Sequence, residues 1–412
     1  MAQLRILIVS ENASNVFGGE AMLPLNYFRL LGKTEHEVYL ITHARVKSTI
    51  QQIADVDQSR VFYVPDTWLH KFLFKHSSIL PERITIATFG LFMHLITQFY
   101  QWKLARKIIN EKKIDVIHEP APVSAVQPSA MFGLGVPVVI GPMNGGMSFP
   151  PAFQYMAGIA EKLLYKVMRV FASIYNLLIP GKFFAEILLV ANDRTRRTLP
   201  KFRLGKVIEL VENGVFSVAD SPRCDAKRDP VNVIYVGRLV DWKTVDIAIE
   251  AIGFCKKNVK LSILGDGPLK QDLMQFANIK APNRVEFLGL VPHSETNAQY
   301  DTADISVLPS VRECGGAVVL EAMARGLPVV ATNWGGPADY ISSDTGFLIE
   351  PKSRAYMVQE FAKTIDILAS DAALRYKVGE AAIKRVSEHF MWDKKIETIV
   401  SIYQAAIERK NG

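Results

Sequence analysis

The stretch PSVRECGGAVVLEAMARGLPVVATNWGGPADYI, residues 309–341, decides the fold. It reads as a strand end, a glycine turn, a helix and a second strand. Gly315 and Gly316 open a helical run from Ala317 to Ala324, and LPVVAT (327–332) is a short Val-rich strand. A helix opened by glycines offers free backbone N–H groups and the positive end of its dipole, a site for phosphate. Glycine also lets the backbone approach a ligand closely. Glu313, just before the turn, would repel a phosphate that touched it, so it reads as an acceptor for hydroxyls lying beyond the phosphate. Glu321, one turn into the helix, is placed to hold another pair of hydroxyls. Carboxylate, phosphate cradle and carboxylate are what a sugar–diphosphate–ribose ligand requires. Two solvated surface glutamates are the alternative this segment leaves open.

A second anion element lies upstream in VIYVGRLVDWKTVDIAIEA (233–251). A strand ends at Gly237, and Arg238 and Lys243 flank a short turn before a helix. Such a pair neutralises a diphosphate, Arg as a fork and Lys as a point charge. A solvated pair is the competing reading, weakened because two anion elements share one domain. The third element, FGGEAM (17–22), puts Gly18 and Gly19 after the first strand. It is not a GxGxxG fingerprint, and a plain tight turn stays equally open.

Outward from these segments the chain alternates short apolar runs with longer amphipathic ones. LRILIV (4–9), HEVYLIT (36–42), DVIH (115–118) and VPVVI (136–140) read as strands, with helices at 20–32 and 98–113. The alternation restarts with VNVIYVG (231–237), VKLSILG (259–265), RVEFLG (284–289), DISVLP (304–309) and LPVVAT. Beta-alpha alternation of this kind predicts parallel sheets covered by helices on both faces. The polar, proline-containing stretch 217–232 reads as a linker. The expected architecture is α/β: two Rossmann-like doubly wound domains facing a central cleft at the carboxyl ends of both sheets. We place them at 1–205 and 206–390, with a terminal helix at 391–412 whose apolar Ile396, Ile399, Tyr403 and Ala406 recur at helical spacing.

Composition narrows the class. The 412 residues are 49% hydrophobic and 22% charged, which excludes disorder. Three cysteines, Cys224, Cys255 and Cys314, with no CxxC pair, exclude a disulfide framework and a cysteine zinc site. The opening MAQLRILIVSEN lacks the features of a signal peptide. The net charge of +7 is uneven: residues 1–203 hold 23 basic and 14 acidic side chains, and residues 204–412 hold 25 and 27. The first half therefore suits an anionic surface. Residues 84–102 contain no Asp, Glu, Lys or Arg, but Thr85, Thr88, His94, Thr97, Gln98 and Gln101 make them a poor membrane span. Residues 151–184 mix leucines with Lys162, Lys166, Arg169 and Lys182. Peripheral contact with an anionic membrane is the favoured reading of both, against helices packed on the first sheet. No nucleic-acid-binding motif accompanies the charge.

Residues 309–336 resemble the E-x7-E segment of retaining glycosyltransferases of family 4, which have the GT-B fold. Glu313 and Glu321 have the spacing, and LEAMARGLPVVAT flanks them. The Gly18-Gly19 loop, DVIH ending at His118, ENGV (212–215), VGRLVDWK, LGDGP (264–268), VEFLG (285–289), ADISVLPS (303–310) and HFMWD (389–393) extend the resemblance over nearly the whole chain.

The resemblance implies roles for these positions. Glu313 binds donor-sugar hydroxyls, and Glu321 holds the ribose. Arg238 and Lys243 bind the diphosphate with the amides of the Gly315, Gly316, Ala317 and Val318 turn. Gly18 and Gly19 approach the phosphate, and backbone around Leu288 receives the base. His118 lies near the reacting carbon and the acceptor, although a satisfied strand-end histidine is the plainer reading. The terminal helix crosses back to the first domain. The expected reaction moves a sugar, with retention, from a UDP- or GDP-linked donor to a glycan or lipid-linked acceptor. Such an enzyme would act in the cytoplasm on the inner face of the cell membrane, in polysaccharide or glycolipid synthesis. An epimerase or phosphorylase of the same fold, and a non-catalytic sugar-nucleotide-binding scaffold, are the rivals. Asp55-Val56-Asp57 reads as a surface turn and not a metal site, so no cofactor or metal is expected. Three departures stand out. Cys314-Gly315 replaces a more aromatic pair, Thr244 replaces the usual glycine after Lys243, and GPMNGGMSFPPAF (141–153) has no counterpart. Asn144 in that stretch is a candidate for an acceptor hydroxyl, or part of a turn that holds no ligand.

Overall fold

A computed structural model describes residues 3–16, 19–76, 89–121, 124–158, 174–222 and 228–411. Gly18, Cys224 and parts of the 84–102 and 151–184 segments lie outside the described residues. The chain forms two units: residues 1–146, 158–212 and 395–412, and residues 147–157 and 213–394.

The first unit carries seven strands: β1 (Arg5–Val9), β2 (Glu37–His43), β3 (Val61–Val64), β4 (Val116–Glu119), β5 (Val138–Met143), β6 (Ile187–Val190) and β7 (Lys206–Glu209). Their order is β3-β2-β1-β4-β5-β6-β7, all parallel. The second unit carries β8 (Val231–Val236), β9 (Val259–Leu264), β10 (Val285–Gly289), β11 (Ile305–Leu308), β12 (Val329–Thr332) and β13 (Gly346–Ile349). Their order is β10-β9-β8-β11-β12-β13, again all parallel. Central strands such as β4, β6, β11 and β12 are buried along their whole length, as parallel strands covered on both faces must be. Each sheet order reverses once, between β1 and β4 and between β8 and β11. Loops diverge at the carboxyl ends of such a pair, which is where doubly wound sheets bind ligands.

Two expectations about organisation change. The boundary expected at 205/206 moves to 212/213, because β7 pairs with β6 from Ile187↔Lys206 onward and so extends the first sheet. Residues 147–157, inserted between β5 and β6, belong to the second unit. The supposed linker is also ordered against the second unit where it is described: the Ala219 amide donates to Ala324 O at 2.8 Å. The terminal helix runs Trp392–Asn411, and from Lys395 onward it lies in the first unit. There Tyr403 is fully buried, and Lys410 pairs with Glu186 at 2.9 Å.

The helix Leu91–Lys112 takes in residues 91–102 of the charge-free stretch and packs on the first sheet. Its His94, Thr97, Gln98 and Gln101 point inward. His94 meets Glu11 at 3.3 Å, and Gln98 donates to Glu119 at 2.6 Å. Phe92 and Phe99 face outward, both more than half exposed. Among the described residues, no helix is long and apolar enough to cross a membrane.

Candidate functional site

β8 and β11 lie side by side in the second sheet, with Ile305 opposite Val233, so the loops that follow them emerge together. The β8 loop leads through Arg238 to a short 3-10 turn, Asp241–Lys243, and then to the helix Val245–Phe254. The β11 loop leads through Glu313 to Gly316, in the left-handed conformation (φ 67°), and then to the helix Ala317–Ala324. Two hydrogen bonds tie the loops: the Val311 amide donates to Trp242 O at 3.0 Å, and the Thr244 hydroxyl donates to Pro309 O at 2.7 Å. Lys243 Nζ and the Glu313 carboxylate form an ion pair, with side chains only 16% and 13% exposed. The Glu313 carbonyl is fixed in turn by the Gly336 amide at 2.9 Å.

Lys243, Glu313, Gly315, Gly316, Ala317 and Val318 are therefore brought together. The first amides of the Ala317–Ala324 helix have no carbonyl partner within the helix, so they and Lys243 supply positive potential at one place. Glu321 is half-buried one turn on, with the Tyr300 hydroxyl 3.3 Å from its carboxylate. Arg238 is exposed on the β8 loop, and Tyr235 donates to its carbonyl at 3.2 Å. Leu288 stands apart at the end of edge strand β10, two strands from β8.

In the first unit, Gly19 begins the helix Gly19–Leu31, and a Cβ there would meet nothing within 4 Å. His118 corrects the expectation of a residue facing the reacting carbon and acceptor. It sits inside β4 with no exposed surface. Its Nε2 lies 2.6 Å from Gly141 O and its Nδ1 lies 2.6 Å from the Tyr403 hydroxyl. A carbonyl only accepts, so Nε2 carries the proton and Nδ1 accepts from Tyr403. Burial holds its pKa down to about 4. His118 is a structural histidine that locks the terminal helix to the first sheet. Asn144 is likewise engaged inside the unit, with its Oδ1 3.4 Å from the Thr195 hydroxyl and its side chain bonded to Glu212. Asp55 is held by a two-pronged contact from Arg29, and Asp57 caps a short turn.

Residues 220–385 match the family described as Glycosyl transferases group 1. The match falls within the second unit, which is similar to the group 1 glycosyltransferases. An uncharacterised glycosyltransferase of Methanocaldococcus jannaschii is 33% identical over 184 residues, 44% of this chain and 46% of the relative. A sulfoquinovosyl transferase of Arabidopsis thaliana is 28% identical over 310 residues, 70% of this chain and 57% of the relative. The chain thus spans about half the length of the curated relatives it matches. Among solved structures, a glycosyltransferase from Rickettsia africae aligns with a TM-score of 0.63 at 17% identity over 99% of both chains. Anabaena HepE, solved with UDP and glucose, aligns with 0.64 at 16% identity, over 98% of this chain and all of the other. At these identities the likeness shows the fold alone, which is GT-B.

Within the second unit the geometry bears on one departure in sequence. Thr244, where the resemblance implies glycine, has φ 44°. That conformation costs a β-branched residue on the order of 1–2 kcal/mol, and the hydroxyl contact to Pro309 offsets part of it. One cluster escaped the sequence reading. His43, Asp66 and His70 place potential metal-ligating atoms within 4.8 Å of one another. Both imidazoles, however, accept at Nδ1 from backbone amides: Arg45 N to His43 at 3.2 Å and Thr67 N to His70 at 3.3 Å. In the neutral state each Nε2 then carries the proton and has no lone pair for a cation. His43 also has its pKa lowered to about 4, by burial first and then by Arg45.

The buried His118 sets a pH dependence. Between about 4 and its ordinary value of 6.5 the unfolded chain binds the extra proton, so this residue's contribution to stability falls as pH drops through that window. His118→Asn should therefore be most destabilised relative to the parent near pH 7, with the gap narrowing toward pH 4. Urea unfolding at several pH values checks this; a gap that is constant or widens on acidification contradicts it.

Proposed function

We propose that this protein transfers a sugar from a nucleotide-diphosphate donor to an acceptor hydroxyl, with retention of anomeric configuration and without a metal ion. The observation that carries the reading is the juxtaposition of Lys243 and Glu313 beside the amide-bearing start of the Ala317–Ala324 helix. In this reading the diphosphate takes over Lys243 and the helix-start amides, with Arg238 approaching from the exposed side. Glu313, released from Lys243, accepts hydrogen bonds from sugar hydroxyls, and Glu321 receives the ribose. Negative charge grows on the leaving phosphate as the glycosidic bond breaks. Each well-aimed donor contributes about 3 kcal/mol or more to stabilising it. The leaving phosphate takes the acceptor proton, so no strong base is required, consistent with the burial of His118. Solved neighbours that bind UDP and UDP-glucose favour a uridine donor.

For the acceptor we propose a glycan or lipid-linked saccharide, reached from the inner face of an anionic membrane. The first unit's surface supports this. Trp68, Phe72 and Phe74 are exposed on the helix Trp68–His76 beside Lys71 and Lys75. Phe99 is exposed on the helix Leu91–Lys112 with Lys103 Nζ 4.4 Å from its ring centre. Exposed aromatics next to lysines suit the headgroup layer.

Two experiments test the reading. In a thermal-shift panel of UDP-, GDP- and ADP-sugars, one donor should raise the melting temperature by mass action. Turnover of that donor should fall about 100-fold or more in Lys243→Ala. Turnover unchanged in that variant would overturn the assignment, and release of sugar phosphate or an epimer without acceptor would select another reaction. In flotation assays the protein should rise with phosphatidylglycerol vesicles at low salt, and Phe74→Glu/Phe99→Glu should abolish this. Equal behaviour of parent and variant would refute the membrane proposal.

A further inference from the structure

Residues 147–157 leave the first sheet after β5, pack within the second unit, and return before β6. No role in the reaction has been assigned to them. They touch Arg312, beside Glu313, and the loop after β12 that abuts the Glu313 carbonyl, and they share a cavity wall with the loop that carries Lys243. At one end, Trp334 Nε1 donates to Ser148 O at 2.7 Å. The Arg312 guanidinium lies 5.3 Å from the centre of the Phe149 ring, and Phe149 is buried. Arg312 is the residue immediately before Glu313. The Met147 thioether packs against Gly335, where an added Cβ would lie 2.9 Å from Met147 Cε and 2.1 Å from Glu313 O. At the other end, the short helical turn Pro151–Met156 buries Phe153, 1% exposed. Phe153, Tyr155 and Met156 line a cavity of about 360 Å³ together with Val240, Asp241 and Thr244, which surround Lys243 in sequence.

We propose that this segment is a positioning strap that fixes the Glu313 loop relative to the Lys243 loop, with Phe149 and Trp334 as its principal positioning residues. The two loops act as lever arms. Both loops leave adjacent strands and are joined to each other by only a few hydrogen bonds, so the spacing of the two charges depends on what packs behind them. The strap supplies that packing from a single short piece of chain. It sets a ring beside Arg312 and a thioether against Gly335, whose backbone abuts the Glu313 carbonyl, and it places Phe153, Tyr155 and Met156 in the wall of a cavity shared with Val240, Asp241 and Thr244. The strap touches no substrate in this account; it acts through Arg312, Gly335 and the 240–244 turn. The inference rests on the donor-binding reading for its catalytic consequence, but the mechanical part stands by itself.

The test uses the full-length protein and three variants. Phe149→Ala removes the ring, Phe149→Tyr keeps it, and Trp334→Phe keeps a ring while removing the N–H donor. Hydrogen exchange on the ligand-free protein should show faster exchange of peptides covering 240–244 and 309–316 in Phe149→Ala and Trp334→Phe, and parental rates in Phe149→Tyr. In titrations with UDP and GDP, the nucleotide that the parent binds should bind about tenfold more weakly to the first two variants, because small misplacements of charged groups are costly. Donor KM should rise with acceptor KM unchanged, a split that general destabilisation would not give. Should Phe149→Ala fail to fold, Trp334→Phe carries the same test. Exchange unchanged in both loops overturns the strap. If the parent binds neither nucleotide, the donor reading fails, while the exchange result still decides the strap.

Discussion

The ion pair between Lys243 and Glu313 is the constraint around which the second unit's loops are arranged. The residues are 70 positions apart in sequence, and only the sheet order brings them together. β8 and β11 are neighbours at the point where the order reverses, so their loops rise side by side while the helices that follow run to opposite halves. Both charges are largely withdrawn from water, and each depends on the other for compensation. Removing either partner would leave a half-buried charge alone, a costly state. The ion pair satisfies the two side chains in this structure.

Several local features follow from keeping these loops together. Thr244 accepts a strained left-handed backbone because its hydroxyl reaches the opposite loop at Pro309. Gly316 takes φ 67° so that the chain can turn from Glu313 into the helix, and a Cβ there would press on Glu313 Cγ at 3.0 Å. Gly335 and Gly336 leave room for the backbone of residues 313–315, with separations a side chain would not allow. These glycines exist for close approach between loops as much as for approach to a ligand, which the sequence reading alone did not distinguish.

Much of the fold was legible because central parallel strands are continuous apolar runs. LRILIV, DISVLP and LPVVAT need no context to be read. The strands that escaped were VFYV, ILLV, KVIE and GFLI, each four residues long. β7 is half-exposed at a sheet edge, so hydrophobicity does not mark it, and missing it displaced the domain boundary. Lys243 and Glu313 were legible as charges on loops that close strands, and the sheet order brings the two together. His118 was less so, since a strand buried on both faces has no alternation to show which way a side chain points. The structure turns it toward Tyr403, a residue 285 positions away. The helix Leu91–Lys112 misled in the opposite sense: His94, Thr97, Gln98 and Gln101, which argued against a membrane span, are interior groups, the first three of them hydrogen-bonded, while Phe92 and Phe99 face out. The 147–157 segment carried no periodicity at all, and only its packing reveals what it touches.

The most direct measurement is a crystal structure of the protein with a UDP- or GDP-sugar at saturating concentration. The account predicts the β-phosphate within hydrogen-bond distance of Lys243 Nζ and of the amides at the start of the Ala317–Ala324 helix, with Glu313 turned from Lys243 to the sugar. A bound donor whose phosphates lie elsewhere while Lys243 and Glu313 remain paired would contradict it.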